Sequence, residues 1–266
     1  MKFVIEEEPL AELLYLSASP RGGAETRRLP ILGAVADDLP EDVSALLICS
    51  DLQGVAPLWE HGGESLLLGE VLAEYVAGLV DEIPALEHLG VILAGDYFSS
   101  PGANKRGATG DVTSVWAAFS RIAQWVVGVQ GNHDLVGRSL ERPPNCHLLD
   151  GRTVKLGGGR FGGVGLVGGQ PGKTGRRDPE DQLRLLRQVL REKPDLLILH
   201  EGPPGADRAQ PGNAQIGAAL PRSFEGTLVC GHVHWPQAAS HHGTYQVLNV
   251  DSRVILATRS PGPWPR

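Results

Sequence analysis

"VVGVQGNHDLVG" (126–137) is an apolar run that ends abruptly in Gly131-Asn132-His133-Asp134. Gly, Asn and Asp are common turn residues, so a plain turn explains the tetrapeptide taken alone. A metal or catalytic loop at the end of a buried strand explains it equally well. The placement of similar residues along the rest of the chain decides between the two.

The same arrangement recurs. "ALLIC" (45–49) is followed by Ser50, Asp51, Leu52 and Gln53, and "VILA" (91–94) by Gly95 and Asp96. "DLLIL" (195–199) is followed by His200, and "TLVC" (227–230) by Gly231, His232, Val233 and His234. Each element has an ordinary reading: Gly-Asp as a turn, a lone His as surface or core, His-x-His as chance. Five strand ends that each deliver Asp, Asn or His are hard to explain as turns. In α/β sheets, ligands sit beyond the carboxyl ends of the strands. Carboxylate, imidazole and amide donors suit Mn, Fe, Zn or Co rather than soft thiolate chemistry. A carboxylate can also bridge two cations, and a cation pair forms a clamp for phosphoryl transfer.

The runs at 44–49, 90–95, 125–131, 162–168, 195–200, 227–231, 245–250 and 253–258 read as strands. Those near 46–48, 91–93 and 196–199 are apolar on consecutive residues, as strands buried on both faces are. Helical periodicity appears at 64–80, 111–124 and 178–193. The third helix begins with Asp178 as N-cap and Pro179 at the first helical position. This alternation predicts an α/β layered domain, with antiparallel pairing in the strand-rich tail. Residues 1–43 are the least informative, and "SASPRGGAETRRLP" (17–30) reads as a loop.

The chain has 266 residues, enough for a substantial core, and a formal net charge of -7. No global positive field would recruit nucleic acid or an anionic membrane. Charges, Gly or Pro interrupt every candidate membrane span, and the acidic N-terminus lacks a signal peptide's apolar core. Three cysteines without framework spacing fit a reducing cytoplasm. Cys49 and Cys230 end apolar runs and read as buried thiols. Two phosphate-binding look-alikes fail on context. Gly157, Gly159 and Gly162 match G-x-G-x-x-G but lead into a strand rather than a helix. "VGGQPGKTG" (167–175) has Val167 where a P-loop needs its first Gly.

Together the blocks resemble the calcineurin-like metallophosphoesterases, whose pattern is D-x-H, G-D, G-N-H-[D/E], a lone His, and G-H-x-H. Four blocks match, and the first matches by half, from about Asp51 to His234. The resemblance implies a layered αββα sandwich of two mixed sheets flanked by helices. It would form one domain over 1–266 with an N-terminal extension at about 1–43. It also implies a metal-dependent phosphoesterase, with a phosphodiester favoured, that uses metal-bound hydroxide at a dinuclear centre.

Metal one would take Asp51, Gln53, Asp96 and His234. Metal two would take Asp96, Asn132, His200 and His232. His133 would act on the phosphate and the leaving oxygen, with Asp134 holding its other nitrogen. The cofactors would be two divalent ions, Mn²⁺ foremost, with Fe, Zn, Co or Mg as alternatives. Gln53 stands where the family has His, which makes the first site the weaker one. A catalytically decayed binding module is the competing expectation. The long loop 97–111 places Lys105 and Arg106 where a second phosphate or a nucleotide would meet them. The expected partner is a phosphate ester, with no membrane and no non-specific nucleic acid.

Overall fold

Strands that are apolar on consecutive residues can be buried on both faces, because successive side chains point to opposite sides. The computed structural model, which describes residues 1–56, 65–137 and 143–260, shows this directly. We number the strands β1 (Phe3–Ala18), β2 (Ala24–Ala36), β3 (Ala45–Ser50), β4 (Leu89–Leu93), β5 (Trp125–Gly128), β6 (Cys146–Leu148), β7 (Arg152–Leu156), β8 (Gly159–Val164), β9 (Leu196–Glu201), β10 (Gly226–Gly231), β11 (Ala239–His242), β12 (Tyr245–Asn249) and β13 (Arg253–Thr258). The helices are α1 (Leu68–Gly78), α2 (Thr113–Ser120), α3 (Pro179–Arg191) and α4 (Ala214–Ala219).

Among the described residues, one mixed sheet has the order β1-β2-β13-β3-β4-β5-β6 and the other β11-β12-β10-β9-β8-β7. Three apolar layers follow from the alternation. Leu46, Ile48, Ile92 and Val127 meet Ile198, Val229 and Leu248 between the sheets. Leu47, Cys49, Val91 and Leu93 face the other way, onto Leu68, Leu72 and Val76 of α1 and Val115 and Phe119 of α2. Leu197, Leu199 and Leu228 pack under Leu186 and Val189 of α3 and Ile216 of α4. The result is the expected αββα sandwich. Each fully buried Leu, Ile or Val side chain contributes about 1.5–3 kcal/mol to it.

The predicted strands and helices lie where expected, with helix ends shortened; residue 64 of the first helix lies outside the described residues. Asp178 caps α3, accepting hydrogen bonds from the Glu180 and Asp181 backbone N–H groups. The G-x-G-x-x-G stretch is a β7–β8 hairpin. Cys49 and Cys230 are buried, and burial raises the Cys49 thiol to about 12. No helix among the described residues is long and apolar enough to cross a membrane.

The loop expected at 17–30 is a correction. Residues 1–36 form a long antiparallel hairpin, and only Ser19–Gly23 turn. Gly22 and Gly23 adopt φ +90° and +74°, which a tight reversal needs and other residues resist. Leu13, Tyr15, Leu29 and Ile31 pack on the helical-side core, whereas Glu12 and Arg28 pair on the opposite face. β1 also exchanges two backbone hydrogen bonds between Leu16 and Val55, both at 3.0 Å. This docks the hairpin on the segment that follows β3.

Candidate functional site

β4 and β10 run parallel to both neighbours and β3 runs parallel to β4, so the carboxyl ends of β3 and β4 open along one edge of their sheet and that of β10 along the matching edge of the other. Immediately beyond them, Asp51, Asp96 and His232 all occupy left-handed backbone, with φ of 56°, 60° and 68°. Such conformations cost on the order of 1 kcal/mol each and persist where the surrounding structure imposes them. They turn each side chain sharply out of its strand. Gly131 allows the neighbouring loop to close on Asp96: a Cβ there would lie 2.1 Å from Asp96 Oδ1.

The centre is compact. Ligand atoms of Asp96, His200 and His232 all lie within 4.8 Å of one another. His200 Nε2 is 3.3 Å from Asp96 Oδ2 and 3.0 Å from Asn132 Oδ1. His200 Nδ1 meets the Ala94 carbonyl at 2.8 Å, which holds the ring with Nε2 toward the cluster. Asp96, Asn132 and His200 are buried. Burial disfavours the charged form of His200, but the Asp96 carboxylate outweighs it and raises the imidazole to about 10. Burial also opposes ionisation of Asp96, yet His200 and the His133 N–H together lower its carboxyl. His232 is lowered by burial and by the nearby His200. A cation entering here would replace the His200 proton, as metals do at protonated ligands. This buried set of carboxylate, amide oxygen and imidazoles fits a divalent first-row cation.

The other expected ligands are arranged less uniformly. Gln53 Nε2 donates to Asp96 Oδ2 at 3.1 Å, so one carboxylate oxygen faces both Gln53 and His200. Asp51 Oδ2 accepts from Ser50 Oγ at 2.6 Å and from the His232 N–H at 2.8 Å. Burial and the neighbouring Asp251 charge push its carboxyl well above the usual range. His234 is not brought to the cluster. Its ring is 59% exposed, with Nδ1 3.3 Å from Asp251 Oδ1 and the Arg253 guanidinium 3.3–3.4 Å away. Arg253, itself buried, also donates to the Trp235 carbonyl. Sequence reasoning missed Asp251 and Arg253, which lie where β12 gives way to β13.

Asp134 corrects a second expectation. Its carboxylate does not hold His133. It accepts four backbone N–H bonds: from Asp96 and Tyr97 at 2.7 Å, Gly131 at 3.1 Å and Phe98 at 3.2 Å. Burial and the Asp96 charge raise this carboxyl to about 6, against the N–H groups that lower it. Asp134 therefore ties the loop after β5 to the loop after β4. Asp134→Ala would strand buried donors in both. We expect a loss of about 3–5 kcal/mol of stability, read as a lower denaturant midpoint.

His133 is placed by its own backbone, whose N–H donates to Asp96 Oδ1 at 2.7 Å. Its buried Nδ1 has no hydrogen-bond partner among the described residues. The ring lines a cavity of about 470 Å³ together with Gln53, Phe98, Lys105 and Arg106. Ser17 and Arg27 of the β1–β2 hairpin line the same cavity, a contribution that reading 17–30 as a loop did not anticipate.

A sequence profile of the calcineurin-like phosphoesterases matches residues 45–236. No curated protein matches the chain. Among solved structures, the protein TT1561 of Thermus thermophilus is 15% identical with a TM-score of 0.49; the match covers 79% of this chain and 90% of that one. A Staphylococcus aureus protein described as a 5'-nucleotidase, in complex with alpha-ketoglutarate, is 17% identical with a TM-score of 0.47. That match covers 78% of this chain and 48% of the other.

Proposed function

The chain belongs to the calcineurin-like phosphoesterase family and is a metal-dependent phosphoric ester hydrolase, and on that premise we propose a dinuclear, Mn²⁺-using phosphodiesterase. The observation that carries the proposal is Asp96: one buried carboxylate oxygen stands between the Gln53 amide and the His200 imidazole. Asp96, Asn132, His200 and His232 would hold the tighter ion. Asp51, Gln53 and Asp96 would hold the looser one, with His234 joining only by leaving Asp251 and Arg253. When bound, divalent ions place positive charge against phosphate oxygens and lower the pKa of a coordinated water.

The protein's own groups do the rest. Asp96 holds the His133 backbone in place, and the His133 imidazole offers a proton to the leaving oxygen or a hydrogen bond to the phosphate. Lys105 and Arg106 meet the bound ester across the cavity, and 470 Å³ is within the range that takes a nucleotide-sized ligand. A cavity of this volume beside His133 would accommodate a second ester arm, which is the basis for favouring a diester. Metal analysis, with hydrolysis of bis(p-nitrophenyl) phosphate and p-nitrophenyl phosphate in Mn²⁺, tests the assignment. A higher kcat/KM for the monoester would overturn the diester preference, and one tightly bound ion at saturating Mn²⁺ would overturn the dinuclear centre.

Gln53 yields a directional prediction. A neutral amide oxygen binds late first-row ions more weakly than imidazole does, whereas Mn²⁺ discriminates less. Gln53→His should lower the Mn²⁺ concentration needed for half-maximal activity, by roughly tenfold for about 1.4 kcal/mol of added ligand strength. An unchanged midpoint would show that position 53 does not contribute to either ion.

A further inference from the structure

The hairpin that sequence reading took for a loop forms one wall of the cavity beside His133, and it brings a cation with it. Arg27 on β2 lines that cavity together with Lys105 and Arg106 of the loop after β4. The wall is anchored close to the site. Besides the paired Leu16–Val55 bonds, Ser17 Oγ donates to the Gln53 carbonyl at 3.1 Å. Arg27 is oriented by Glu25, whose Oε1 accepts from Nε at 2.8 Å and Nη2 at 2.6 Å. That bond holds the Glu25 carboxyl below its usual range. Lys105 and Arg106 make no ion pair with any described carboxylate, so the recess keeps an excess of positive charge after Glu25 is counted. The chain as a whole carries -7. A concentration of cations in one walled recess of an acidic protein is therefore a local feature, able to focus an anion.

We propose that this recess binds a second phosphate-type group on the ester's organic arm, with Arg27 as a specificity-determining residue. The substrate class is thus a phosphate ester bearing a further phosphate, such as a nucleoside bisphosphate or its ester. The assignment rests on the phosphoesterase reading for its setting, but the anion site is built from residues outside the Asp96 cluster. The Arg27 N–H groups not given to Glu25 suit the oxygens of a tetrahedral phosphate, and Lys105 adds a point charge in the same recess. The hairpin then acts as a selectivity wall: its backbone pairing fixes how far Arg27 stands from His133.

Calorimetric titration with adenosine 3',5'-bisphosphate and adenosine 5'-monophosphate, with Mn²⁺ withheld, tests this without turnover. The wild-type protein should bind the bisphosphate roughly tenfold or more tightly than the monophosphate, the scale of one charge-assisted contact. R27E should remove most of that difference. The Arg27 side chain is exposed, so the change leaves the core intact. Equal affinities for the two nucleotides, or a ratio that survives R27E, would overturn the proposal. Hydrolysis of bis(p-nitrophenyl) phosphate by the same samples after Mn²⁺ is added reports separately on the phosphoesterase reading. Loss of discrimination with hydrolysis retained locates the effect in the recess, and discrimination without hydrolysis leaves the recess standing while removing the diesterase.

Discussion

Asp96→Ala should abolish Mn²⁺-dependent hydrolysis, lowering kcat/KM by roughly 10³-fold or more, the scale on which transition-state charge stabilisation is lost. The reasoning is positional. Asp96 touches Gln53 and His200 through one oxygen and orients His133 through the other. Its removal strips a charge from both proposed ions and frees the imidazole at once. No other change, Asn132→Ala included, should release as much metal. The sandwich core does not involve this side chain, so the variant should remain folded, with circular dichroism unchanged. Asp96→Asn separates the roles: it keeps a hydrogen-bond acceptor for the His133 N–H and loses the charge. Near-normal turnover by either variant would rule out a shared bridging ligand.

His133→Ala should behave differently. It should retain metal and lose roughly 10²–10⁴ in kcat, the usual range for a positioned acid or base. The imidazole lies beside the cavity rather than in the Asp96–His200–His232 cluster, and its Nδ1 has no described partner. Leaving groups distinguish proton donation from charge stabilisation. An ester with a good leaving group should suffer less if His133 supplies a proton. Equal losses across leaving groups would assign the ring to the phosphate oxygens instead. Loss of metal would make His133 a ligand.

Much of this was legible in the sequence because the central strands are sandwiched between two layers. Residues 45–49 and 91–93 need apolar side chains on both faces, and that requirement is visible without any partner in view. The helices were legible for a related reason, since each buries one stripe. The hairpin was not. The consecutive polar residues Glu25, Thr26, Arg27 and Arg28 precede its first core residue, Leu29, and with Gly22 and Gly23 they imitate a loop. The cluster of Asp96, Asn132, His200 and His232 was readable because each lies directly after a strand. The partners of Asp134 and His234 were not. Asp134 is held by backbone N–H groups of a loop nearly forty residues away, and backbone donors leave no mark on residue type. His234 is taken up by Asp251 and Arg253 through the fold rather than through any spacing in the chain.

The left-handed backbone at Asp51, Asp96 and His232 sets a conflict between durability and chemistry. At each of these positions glycine would relieve conformational strain, and at each it would delete a candidate ligand. Selection for heat resistance alone would therefore drift toward a sturdier and inert protein, entering through the same three residues. Stabilising this enzyme without silencing it must begin elsewhere, in the sheets or at the helix ends, and leave the strained rim of the site alone.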